Sequence, residues 1–251
     1  MSANRPFALT IAGFDPCGGA GVLADVKTFE QHHVYGLAIN TGNTIQTENK
    51  FREIQWTDLD FVLRSIETLF KSYNIKAVKI GIVPSLEYLK NIVSEIKKRS
   101  PDTKIIWDTV LKSSTEFSFL NIENQLVLIE ILKEIDLITP NYNEILKLNP
   151  FGNSAEEIAL AFAENCSVLL KGGHNTKEPG TDYLYTKNEK LQLQPNSKAV
   201  FEKHGSGCVL SSAITANMAL GQDLNSSCKN AKKYVENYLN SNSSLIGYHH
   251  V

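Results

Sequence analysis

The stretch FALTIAGFDPCGGAGVLADVKTFEQHH, residues 7–33, joins two different periodicities through a glycine-rich turn. Residues 7–13 form a short apolar, β-prone run, as expected of a strand covered on both faces. From residue 18 the pattern turns helical and stays so to His33. A strand, a glycine turn and a helix make the opening of a βαβ unit. The turn itself, GFDPCGGAG (13–21), is not a dinucleotide fingerprint, because Asp15-Pro16 displaces the glycines. It is not a phosphate-binding P-loop either, because no G-K-[ST] follows. Two readings stay open: a bare turn, or a backbone surface on which a flat small molecule lies close. Asp25 follows Gly21 by one helical turn and is expected to point back to the same rim.

Working outward, the alternation continues. Strands are expected at GLAINTGN (36–43), AVKIGIV (77–83), KIIWDTV (104–110), DLIT (136–139) and SVLLKGG (167–173), with helical stretches between them. DYLYT and EKLQLQP (182–195) read as a hairpin at the sheet edge. The expected architecture is α/β: a central, mostly parallel sheet with helices on both faces. No repeat, linker or low-complexity tract divides the chain, so residues 1–251 are read as one domain.

At 251 residues, 42% hydrophobic, 21% charged and a net charge of -2, the composition is that of an ordinary globular protein. Such a balance gives no field to attract nucleic acid or an acidic membrane surface. Cys17, Cys166, Cys208 and Cys228 form no C-x-x-C pair, which argues against zinc ribbons and thioredoxin-like chemistry. Free thiols, with neither a signal-peptide core nor an apolar run of ~18 residues, point to the cytoplasm. His32-His33 and His249-His250 are adjacent pairs, and neighbours do not share a helix face, so they are not read as metal sites.

In a parallel sheet, ligands gather at the carboxyl ends of the strands. Lys171, at such an end before Gly172-Gly173, could neutralise a transferring phosphate. Asp108 ends an apolar strand, where an unpaired acid would be costly. It either caps the next segment or holds a hydrated cation. Asn141 and Glu144 are spaced for a capping box, or for a phosphate–magnesium site. HGSGC (204–208) places glycines before a helix read as amphipathic, VLSSAITANMALG. A helix start offers unpaired N–H donors and partial positive charge, and so suits an anion.

Taken in order, ALTIAGFDPCGGAGVLADVKTF, KIGIV, WDTV, LITPNYNE, LLKGGH and HGSGCVLSSAITANMALG resemble hydroxymethylpyrimidine/phosphomethylpyrimidine kinase of thiamine biosynthesis. That family belongs to the ribokinase-like superfamily, which also holds pyridoxal kinases. The resemblance implies a ribokinase-like three-layer sandwich, ATP and Mg2+ as co-reactants, and a homodimer. It implies a pyrimidine site lined by Ala20, Asp25, Thr44, Gln46 and Val110, with Gln46 pairing the ring's amino edge. Asp108, Asn141 and Glu144 would serve phosphate and magnesium, with Asp108 and Glu144 holding the metal through water. Lys171 and Ser206 would serve the ATP phosphates, and Gly205, Ser206 and Gly207 would form an anion hole. Cys208 stands at the position of the catalytic base, with its pKa expected to be depressed toward neutrality by the helix start. The alternative is that it only positions the hydroxyl.

Three departures from the family pattern stand out. Phe14 and Cys17 replace small hydroxyl residues, Ser206 replaces threonine, and LKSSTEFSFL (111–120) lacks the usual glycine-containing loop. The expected activity is phosphorylation of 4-amino-5-hydroxymethyl-2-methylpyrimidine and of its monophosphate. The rivals are a pyridoxal kinase on the same scaffold and a weakly catalytic pyrimidine-binding protein.

Overall fold

The computed structural model describes residues 5–112, 117–175, 178–196 and 201–249. Among them run nine strands: β1 (Phe7–Phe14), β2 (Tyr35–Thr47), β3 (Lys50–Trp56), β4 (Ile75–Ile80), β5 (Lys104–Trp107), β6 (Leu137–Ile138), β7 (Ser167–Leu170), β8 (Asp182–Tyr185) and β9 (Lys190–Leu193). The helices are α1 (Gly21–Gln31), α2 (Leu59–Ser72), α3 (Leu86–Arg99), α4 (Gln125–Leu132), α5 (Tyr142–Leu148), α6 (Ala155–Ala163), α7 (Ser206–Ala219) and α8 (Leu224–Leu239).

All strands join one sheet in the order β3-β2-β1-β4-β5-β6-β7-β8-β9. The six from β2 to β7 in that order are parallel; β3 runs antiparallel beside β2 at one edge, and at the other β8 pairs antiparallel with β7 and β9 with β8. The edge hairpin expected at 182–195 is present as β8–β9. β3 was not anticipated: KFREIQW pairs antiparallel with an extension of β2 that runs to Thr47 rather than ending near 43. The 113–116 part of the loop after Val110 lies outside the described residues.

Each strand sends alternate side chains to opposite faces. Leu9, Ile11, Val78, Ile105 and Val168 meet α2 to α6 on one face. Ala8, Ala77, Ile106, Leu137 and Leu169 meet α1, α7 and α8 on the other. The small Ala8 and Ala77 let α7 lie close to the centre of the sheet. Instead of the amphipathic pattern expected, α7 is enclosed: ten of its fourteen residues are buried. The reason is its place between the sheet, α1 and α8.

The chain leaves β1 through α1 on one face to reach β2, and later arrives at β4, on the other side of β1, through α2 on the opposite face. This reversal opens a crevice at the carboxyl ends of β1 and β4. The N-terminus of α7 lies against the same strands.

Candidate active site

Lys171 follows the last residue of β7, and Asp108 follows the last residue of β5. Lys171 Nζ lies 3.1 Å from Asp108 Oδ1 and 3.8 Å from Glu144 Oε2, with the Asp108 side chain fully buried. Asp108 also accepts hydrogen bonds from Thr139 Oγ1 (3.0 Å) and Ser211 Oγ (3.2 Å). Of the two readings, a cap on the next segment and a holder of a hydrated cation, the side chain does not serve the first; it anchors an ion pair with Lys171. Burial works to raise the Asp108 pKa, yet the charges of Lys171 and Lys79 and these hydrogen bonds hold it below the usual carboxylate range. Burial works to lower the Lys171 pKa, and the charges of Asp108 and Glu144 overcome it and push it up. Glu144 is raised by burial, with the charge of Asp108 adding and that of Lys171 opposing.

Asn141 and Glu144 form the capping box of α5. The Asn141 side chain accepts from Asn143 and Glu144 N–H, each at 2.9 Å, and Glu144 Oε2 accepts from Asn141 N–H at 2.8 Å. The two readings of TPNYNE thus meet in one structure for Glu144. The cap fixes its carboxylate where it also faces Lys171. Asn141 is also paired with Lys171 by an isolated parallel β-bridge, which brings the cap of α5 beside the end of β7.

Gly205 caps α7 in the left-handed conformation, φ 76°, with no side-chain cap. A Cβ at Gly205 would collide with the carbonyl oxygen of Gly19, so only glycine lets the two loops pack together. Ser206 N–H is turned back to Lys203 O at 3.5 Å. The N–H groups of Gly207 and Cys208, in the first turn of a helix, have no intrahelical acceptor. A Cβ on Gly207 would stand 3.4 Å from Lys171 Nζ and 4.0 Å from Asp108 Oδ2. The missing side chain is what opens the helix start to the lysine.

Cys208 departs from expectation. Its pKa is pushed up to about 11, not depressed. Burial is the main cause; Asp108 and Asp25 add to it, and Lys79 and the Gly21 N–H oppose it. At neutral pH the sulfur is a thiol, which weakens the base role and favours the positioning one.

Asp25 also departs. It is fully buried, bonded to Lys79 Nζ at 2.8 and 2.9 Å, Thr10 Oγ1 at 2.6 Å and Ser212 Oγ at 2.6 Å. These partners are all interior groups, so the carboxylate is held in a buried network rather than standing open at the rim. The lysine within AVKIGIV was the available signal, since a charge inside an apolar strand needs a buried partner. Ser211 and Ser212, adjacent on α7, each bond a different buried acid, which the sequence reading did not anticipate.

The remaining pyrimidine candidates lie on three separate segments. Ala20 is the N-cap of α1, its N–H donating to Asp15 Oδ2 at 2.9 Å. Thr44 Oγ1 donates to Phe14 O at 2.9 Å, tying β2 to the end of β1. Gln46 is half-buried beyond a bulge between Ile45 and Gln46, and its amide has no partner among the described residues. Such a bulge re-aims the side chain that follows it. Val110, half-buried, follows Asp108.

Comparisons with known proteins identify the family of the chain. A family profile described as phosphomethylpyrimidine kinase matches residues 15–251. A hydroxymethylpyrimidine/phosphomethylpyrimidine kinase of Aquifex aeolicus is 34% identical over 247 residues, covering 95% of this chain and 96% of its own. The crystal structure of a phosphomethylpyrimidine kinase from Clostridium difficile aligns with TM-score 0.77 at 29% identity, over 92% of this chain and 98% of that one. A pyridoxal kinase from Staphylococcus aureus in complex with ADP aligns with TM-score 0.83 at 25% identity, over 95% and 89%. With more than nine-tenths of its length matched by the profile, the chain belongs to the phosphomethylpyrimidine kinase family.

Proposed function

We propose that this kinase of thiamine biosynthesis transfers the γ-phosphoryl group of ATP to the hydroxyl of 4-amino-5-hydroxymethyl-2-methylpyrimidine, and then to the monophosphate formed. The observation that carries the reading is Lys171 Nζ beside Gly207, at the free N–H groups of the α7 start. Phosphoryl transfer asks the protein mainly for positioning and for charge stabilisation on the migrating group. Gly207 and Cys208 N–H donors and the Lys171 ammonium meet that need, with Ser206 on the same turn. Cys208 holds the substrate hydroxyl in line, and its high pKa leaves the proton to pass to phosphate oxygen.

Asp108 and Glu144 supply hard oxygen donors suited to Mg2+. Asp108 is already occupied by Lys171, Thr139 and Ser211, so these carboxylates fit the ion through water rather than directly. When bound, it neutralises charge on the β- and γ-phosphate oxygens. Thr44, Gln46, Val110 and Ala20 hold the pyrimidine. A homodimer in the cytoplasm belongs to the same reading, and sedimentation of the purified protein tests the oligomeric part.

Pyridoxal is the second substrate considered, because the pyridoxal kinase aligns with the higher TM-score, 0.83 against 0.77. The Gln46 amide argues for the aminopyrimidine, whose donor and acceptor edge it complements in one plane. ADP release measured in parallel with the pyrimidine alcohol, its monophosphate and pyridoxal decides. Faster turnover of pyridoxal overturns the pyrimidine reading, and no turnover of any of the three leaves only a pyrimidine-binding protein.

A further inference from the structure

The first glycine turn carries a cluster that the phosphate machinery does not use. Asp15, Cys17 and His204 offer one ligand atom each, and these atoms all lie within 4.8 Å of one another. Among the described residues no other group of histidine, cysteine and carboxylate side chains converges in this way. His204 Nε2 is 3.0 Å from Asp15 Oδ2, and Cys17 Sγ is 3.1 and 3.2 Å from the two Asp15 oxygens. The side chains of Asp15 and His204 are 2% and 10% exposed. The cluster is thus held in place, with the half-buried Cys17 at its open side.

We propose that Asp15, Cys17 and His204 form a site for a thiophilic divalent cation of the Zn2+ class. One thiolate, one imidazole and one carboxylate are the donors that zinc takes, whereas Mg2+ and Ca2+ prefer oxygen alone. Zinc bonds of ~2.0–2.3 Å at tetrahedral angles place ligand atoms roughly 3.5 Å apart. Two of the three edges are already near that spacing, and the third, no longer than 4.8 Å, needs to contract by at most about 1.3 Å. Binding replaces the hydrogen bonds to Asp15. The Cys17 thiol releases its proton to solvent, and His204 turns its Nε2 lone pair to the metal. A thiolate and a carboxylate then balance the double charge of the ion. Three protein ligands leave a fourth position for water.

The consequence is a clasp between two distant segments. Cys17 lies in the turn after β1, and His204 directly precedes Gly205, so the metal would fasten the glycine turn to the cap of α7. The site exists only where the folded chain brings Asp15 and Cys17 to His204, so zinc should stabilise the folded state.

The test uses full-length protein stripped of metal with a chelator and then titrated with Co2+. The expected result is a thiolate-to-cobalt charge-transfer band that saturates at one equivalent. The band should be absent in Cys17→Ser and retained in Cys208→Ser. Competition with a chromophoric chelator should show Zn2+ bound at least about tenfold more weakly by Cys17→Ser, the least expected from losing a ligand when an outer partner alone costs that much. Zn2+ should raise the melting temperature of the wild type and not that of Cys17→Ser. A band that survives Cys17→Ser, or disappears in Cys208→Ser, places the metal elsewhere and overturns the proposal. Absence of any band in the wild type overturns it as well.

Discussion

Lys171 Nζ lies 3.4 Å from the point where a Cβ on Gly207 would stand, so the lysine and the first turn of α7 face each other across a gap that only glycine leaves open. Gly207→Ala fills that gap at ordinary contact distance and so should fold. Alanine also favours a helix over glycine by about 1 kcal/mol, so stability should hold or rise. Turnover should move the other way, with kcat/KM down roughly 10²-fold because the methyl group stands where a phosphate oxygen must sit. Thermal melts and ADP release on the same preparation check the opposite signs.

Lys171 has a structural role besides the one proposed for it in transfer. Removing it leaves Asp108 buried and charged without its main partner. Lys171→Met should cost about 3–5 kcal/mol of stability, and the double variant Lys171→Met/Asp108→Asn should recover much of it while staying inactive. The sign with pH follows from the depressed Asp108 value. The stabilisation is fully present above the ordinary value of 3.8 and is lost as pH falls through the lower folded value. The urea midpoints of wild type and double variant should therefore converge in acid. Full stability in Lys171→Met would show that the ion pair does not hold the strand ends together.

Cys208 should alkylate slowly at neutral pH. The thiolate is the reactive species, and its pKa is raised from 9.0 to about 11. In a Cys17→Ser background, the rate of Cys208 modification by iodoacetamide should climb steadily with pH through 9, with no plateau near neutrality. A plateau near pH 7 would restore the thiolate as general base.

Gln46→Leu should erase most of the preference for the pyrimidine over pyridoxal while sparing KM for ATP. The wild-type preference is expected at about tenfold or more, since a buried amide left unpaired by pyridoxal costs about 1–3 kcal/mol. An unchanged ratio of kcat/KM values would remove Gln46 from the substrate site.

Asp25→Asn should act on stability and leave KM for the pyrimidine nearly unchanged. Its partner Lys79 would then be a buried charge facing a neutral amide, a loss in the range of about 3–5 kcal/mol. A large rise in KM with an unchanged urea midpoint would return Asp25 to the substrate surface.

The parallel strands were legible because each is a short apolar run, and the rim was legible because their carboxyl ends share one edge. That is why Asp108, Glu144 and Lys171, far apart in the chain, could be grouped. β3 was not legible, since the Lys, Arg and Glu of KFREIQW reflect an edge ribbon exposed along most of its length. The buried pairing of Asp25 was not legible because helical spacing gives a direction but not a partner, and Lys79 lies 54 residues away. The Cys208 pKa was misjudged because a helix start is visible in sequence, whereas burial and two neighbouring carboxylates are not.

The contact of Gly205 with Gly19, reinforced by His204 on Asp15 across 189 residues, has a consequence for synthesis of the chain. β1, β2, β4 and β5 come from the first half of the protein, Glu144 and Lys171 from the second, and the turn before α7, proposed to take the phosphate, arrives only with its last fifth. A nascent chain still threaded in the ribosome at α6 can pair its central strands and yet lacks the turn before α7. On the proposed reading, the site is complete only late in translation, and a truncated product lacking α7 would carry Asp108, Glu144 and Lys171 without the turn that faces Lys171.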